Sequence, residues 1–123
     1  MNGLSFWFFV LAVISGALGM AWGIQMSASG DHSLSIAHAH LNLIGWVGFA
    51  IFGIYYHLVP AAHGKLAWVH FFVALLGLGA IVPGIVLAVT SQGEVLAKVG
   101  SVLTFLSILI FLVVVIRSRS TTT

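Results

Sequence analysis

Residues 36–60 read IAHAHLNLIGWVGFAIFGIYYHLVP. From Ile36 to Leu58 there is no Asp, Glu, Lys or Arg. A helix that crosses the hydrocarbon core of a bilayer needs about 20 mostly apolar residues, and this run supplies them. Pro60 marks its end, because the residue before a proline is steered away from helical geometry. Within so apolar a run, His38, His40 and His57 stand out. Ionisable residues in a transmembrane helix are expensive and are functional candidates by default.

Outward from this stretch, three more segments have the same character: about 4–24, 66–89 and 95–116. The breaks between segments are SASGDHSLS (27–35), VPAAHGK (59–65) and TSQGE (90–94). In lipid every backbone polar group must be satisfied internally, so long continuous spans are helical. The expected fold is therefore an all-α integral membrane protein, one four-helix transmembrane domain over residues 1–123. Met1 to Ser5 contains no basic residue and the apolar run behind it is long, so the first segment reads as a retained helix rather than a cleaved leader.

Composition agrees. Of 123 residues, 61% are hydrophobic and 5% charged, against roughly a quarter charged in soluble domains. The net charge of +2 rests on four Lys/Arg against two Asp/Glu, with no basic cluster of the kind that nucleic-acid binding needs. With no cysteine, disulfides, iron–sulfur clusters and Cys-ligated zinc are excluded. Arg117 and Arg119 follow the fourth segment and Lys65 lies in the second break, on the same side in a four-span chain. The positive-inside rule makes that side cytoplasmic, with both termini inside and the protein in the inner (cytoplasmic) membrane. Lys98, beside Glu94, is the exception.

The six histidines fall into an outer group (His32, His38, His40) and an inner group (His57, His63, His70). A helix of this length separates the groups by roughly 25–30 Å, so no single metal takes ligands from both within one chain. His57 and His63 read as interfacial residues. His70, flanked by Trp68, Phe71 and Phe72, reads as a structural residue able to hydrogen-bond across helices. His38 and His40 differ. Successive helix residues turn by about 100°, so an i, i+2 pair points to opposite flanks. The pair cannot chelate one ion, but it offers one ligand to each of two neighbouring sites, as a cofactor or metal shared between subunits requires; the alternative is two unrelated interhelical hydrogen bonds.

Heme needs one or two neutral imidazoles and an apolar slot. Gly45, nearly below His38, with Gly48, Gly53, Trp46, Phe49 and Phe52, is the expected lining. The chain lacks C-x-x-C-H, which leaves heme b as the simplest choice. Asn42, one turn below His38, and Ser35 are expected to orient the ligands or contact a propionate, and Asp31 and His32 to lie near the heme edge facing outside.

The segment from His40 to Pro60, HLNLIGWVGFAIFGIYYHLVP, resembles the second helix of heme–copper oxidase subunit I, most closely in the nitric oxide reductase and cbb3-type branches. The resemblance implies that His40 occupies the low-spin heme ligand position. It also implies a fold equal to one four-helix arc of the twelve-helix subunit, whose three arcs surround a pseudo-threefold axis. In that family another helix carries an H-x-H pair serving two hemes, and His38-Ala39-His40 combines both patterns on one helix. The expectation is a homotrimer, favoured over a dimer, with each heme b held by His40 of one subunit and His38 of the next. The family's copper ligands do not carry over: there is no His-His pair and no intramembrane carboxylate, so oxygen or nitric oxide reduction is not expected. The expected function is electron transfer by an oligomeric membrane cytochrome, with a quinol or a periplasmic cytochrome as partner. A heme-based sensor of nitric oxide, carbon monoxide or oxygen, a non-heme accessory or assembly subunit of a respiratory complex, and a copper-handling protein are the alternatives.

Overall fold

The structure is a computed structural model and describes residues 1–119. Among these there is no β-strand. Four helices are long and apolar enough to cross a membrane: α1 (Gly3–Ser29), α2 (Ser35–Leu58), α3 (Lys65–Val89) and α4 (Val95–Ser118). The protein is thus an all-helical membrane protein with four transmembrane helices.

The expected spans match at every segment but one. α1 runs five residues beyond Ile24, so the Ser27-Ala28-Ser29 part of the first break is helical. Serine does not end a helix that is already propagating. Gly30 does, with φ 72°, its N–H donating to the Met26 carbonyl at 2.9 Å. Beyond it, the Ser33 backbone N–H donates to Asp31 at 3.0 Å and holds that carboxyl below its ordinary range. α2 is not one regular helix either. Ser35–His40 is α-helical, Leu41–Gly48 is π-helical and Phe49–Leu58 is α-helical again. Such π turns inside helices frequently mark functional sites.

The helices pack as two hairpins. α3 and α4 meet along glycines that let backbones touch: a Cβ added at Gly84 would lie 2.5 Å from the Ala97 nitrogen, and one at Gly100 would lie 2.5 Å from the Ile81 nitrogen. α1 and α2 use the same device, with Gly53 of α2 against the Ser5 carbonyl. The two hairpins join around an aromatic core in which Phe8 is fully buried against Phe49, Phe52, Tyr56 and Phe71. α2 and α4 touch at the end carrying the C-terminus, where the hydroxyls of Tyr55 and Ser118 lie 2.6 Å apart and the tilted rings of Phe52 and Phe111 pack with centroids 4.7 Å apart. Towards the other end they diverge. The space between them, floored by Ala74 and Ile81 of α3, is a lipid-facing groove of about 470 Å³.

Candidate functional site

His38 and His40 lie on the last α-helical turn before the π stretch, and their rings leave α2 on opposite flanks. His40 lines the groove, together with Leu43, Ile44, Gly48, Phe49 and Phe52 of α2 and Ser101, Thr104 and Phe105 of α4. Its Nδ1–H donates to the Ile36 carbonyl one turn earlier, at 2.8 Å. That bond assigns the tautomer and leaves the Nε2 lone pair unprotonated. Among the described residues Nε2 has no hydrogen-bond partner. An imidazole whose Nδ1–H is anchored on a backbone carbonyl, with Nε2 facing a cavity, has the arrangement typical of a metal ligand.

His38 is committed differently. Its ring turns into the seam with α1, and its Nε2 lies 2.9 Å from the Gly19 carbonyl and 3.1 Å from Nδ2 of Asn42. A carbonyl at that distance only accepts, so Nε2 carries the proton and donates to Gly19, while Asn42 Nδ2 donates to the His38 carbonyl at 2.9 Å. Small residues make this possible: a Cβ added at Gly23 would be 3.3 Å from His38 Nε2, and one at Gly19 would overlap Asn42. The two histidines thus hold opposite tautomers, His38 with Nε2–H and His40 with Nδ1–H.

Asn42, Gly45 and Trp46 share the α1-facing side with His38, away from the groove. A Cβ at Gly45 would fall 2.7 Å from Ser15 Oγ, and Trp46 covers Gly16 with ring atoms 3.0 Å from the Cβ position there. Of the six residues expected to line a heme slot, Gly45, Trp46 and Gly53 are occupied by packing against α1, whereas Gly48, Phe49 and Phe52 line the groove. The groove's own small residues are Gly48, Ala74, Ser101 and Ser107. Asn42 lies beside His38, its Nδ2 bonded to the His38 carbonyl. Ser35 opens α2, its N–H bonded to the His32 carbonyl at 3.1 Å. Asp31 and His32 lie exposed in the loop.

The groove offers one imidazole against mostly apolar walls. Its volume lies within the roughly 300–1,000 Å³ usual for cofactor sites, and its walls are almost wholly apolar. No group of three or more His, Asp or Glu gathers among the described residues, so a bare ion finds no cage in one chain. A metal already held by a macrocycle needs only the one imidazole. A second imidazole at the groove is not furnished from within the chain, since His38 is on the far flank of α2.

The inner histidines sort by burial. His57 and His63 are exposed, and His63 Nε2 donates to the Tyr56 carbonyl at 2.6 Å. His70 is fully buried. Its Nδ1 is hydrogen-bonded to the Tyr56 hydroxyl at 2.9 Å, and its Nε2 has no partner among the described residues. The rings of Phe8, Phe52 and Phe111 surround it, with centroids at 5.2, 4.5 and 5.1 Å. The pairing of Tyr56 with His70 is absent from the sequence reading. The two lie on different helices with a loop between them, and no local spacing signals the contact.

No protein-family model, curated protein or solved structure matches the chain.

Proposed function

We propose that the chain is the subunit of an oligomeric b-type cytochrome of the cytoplasmic membrane, with heme b in the groove between α2 and α4 and His40 as an axial ligand. The observation that supports it is the state of His40: Nδ1–H tied to the Ile36 carbonyl and Nε2 unpartnered at an apolar cavity. Heme b supplies one-electron redox chemistry, which makes the protein an electron carrier. The residues of the chain do the rest. Ile36 fixes the ring and tautomer of His40. The apolar walls, including Phe49, Phe52 and Phe105, exclude water and lower the local dielectric. The contact between Tyr55 and Ser118 closes the inner end.

The second axial imidazole comes from a neighbouring copy. The opposite flanks of His38 and His40 favour a ring of three, each His38 serving the next subunit's heme. In that assembly the His38 ring releases the Gly19 carbonyl or ligates through Nδ1. The electron partner is a quinol or a periplasmic cytochrome, and both termini face the cytoplasm.

The bond from His38 to Gly19 favours a second reading. With His40 as its only protein ligand, a bound heme would supply a site for a diatomic gas, as a sensor requires. Carbon monoxide added to the reduced, heme-loaded protein separates the two. An unchanged spectrum supports bis-imidazole ligation and electron transfer. A shifted spectrum supports the sensor.

A further inference from the structure

We propose that the end of the bundle carrying Lys65 and Arg117 is a binding site for the phosphate group of an anionic phospholipid. Lys65 begins α3 and Arg117 lies one residue from the end of α4, so both side chains sit where two membrane spans end. Together with His63 and Gly64 they line a cavity of about 450 Å³. Its other walls are Leu66, Val69 and Val114, so a cationic rim stands over apolar walls. A phosphate with acyl chains attached has that same division.

Charge points to the same occupant. The only acidic side chains, Asp31 and Glu94, lie at the opposite end of the bundle. The one ion pair between side chains there is Lys98 with Glu94, at 3.7 Å. Among the described residues neither Lys65 nor Arg117 has an acidic partner. Two unneutralised cations at a bilayer surface attract anionic headgroups, and removing one weakens that attraction about fivefold. His63 cannot add a donor from Nε2, which is spent on the Tyr56 carbonyl. The opening turn of α3 contributes backbone N–H groups that have no helical partner. The cation pair, not the helix end, carries the site, and it is independent of heme.

Native mass spectrometry of the purified full chain in neutral detergent tests this. Phosphatidylglycerol and phosphatidylcholine of identical acyl chains are titrated in parallel, with inorganic phosphate as a competitor. Phosphatidylglycerol is expected to be retained over phosphatidylcholine and not displaced by inorganic phosphate. Lys65→Gln and Arg117→Gln should each weaken retention about fivefold, while Lys65→Arg and Arg117→Lys keep it. Lys98→Gln removes the same charge at the other end and should change nothing. Equal retention of the two lipids, displacement by inorganic phosphate, or an equal loss in Lys98→Gln would each overturn the proposal.

Discussion

The two residues of the H-x-H run have separate fates, and the proton on each ring is the difference. His40 keeps Nε2 available because Ile36 takes its Nδ1–H; His38 spends Nε2–H on Gly19. His40→Ala is therefore expected to abolish heme binding outright. His38→Ala is expected to retain heme but convert a low-spin, bis-imidazole spectrum to a high-spin one that responds to carbon monoxide. A low-spin spectrum unchanged in His38→Ala would remove His38 from the coordination sphere. The divergence of the pair was readable in the sequence, since it follows from the 100° step of a helix. An interhelical bond from His38 was among the readings, but its partner was not legible, because that partner is a backbone carbonyl of another helix, and a carbonyl leaves no mark in the sequence. The same holds for His70. Tyr56→Phe leaves this fully buried imidazole with neither nitrogen bonded, and should lower stability by about 1 kcal/mol, read as a lower thermal midpoint in detergent.

The helices themselves were readable to within a residue or two at most ends, because apolar length alone defines a membrane span. What that signal cannot convey is phase. A helix apolar on every side has no amphipathic stripe, so the π stretch at Leu41–Gly48 and the side on which Gly45 and Trp46 lie were hidden. The end of α1 was missed for a related reason: Ser27 and Ser29 look like loop residues by composition, yet the stop is Gly30. Glycine in the spans is likewise ambiguous until the partner helix is seen. Gly84 of α3 meets the backbone of α4, whereas a Cβ at Gly79 would meet nothing within 4 Å. Gly84→Val should force α3 and α4 apart and cost roughly 1–3 kcal/mol. Gly79→Val faces open space and should cost far less. Comparing the thermal unfolding of the two variants checks the seam, and equal losses would show that it does not depend on Gly84.

At the scale of the whole molecule, α1 with α2 and α3 with α4 close at one end of the bundle and part at the other. The aromatic core of Phe8, Phe49, Phe52, Tyr56 and Phe71 holds the hairpins together below the groove. Above it, His40 faces a lipid-exposed cavity of about 470 Å³. A single chain thus presents one imidazole with an unpartnered Nε2, an open apolar groove and a long apolar flank. The proposed ring and the proposed heme are addressed together by one observation: the oxidised and reduced absorption spectra of the purified, heme-supplemented protein, with heme and protein quantified in the same sample. The expected result is a low-spin b-type spectrum with one heme per chain. One heme per two chains would contradict the ring, and a protein that takes up no heme would contradict the cytochrome itself.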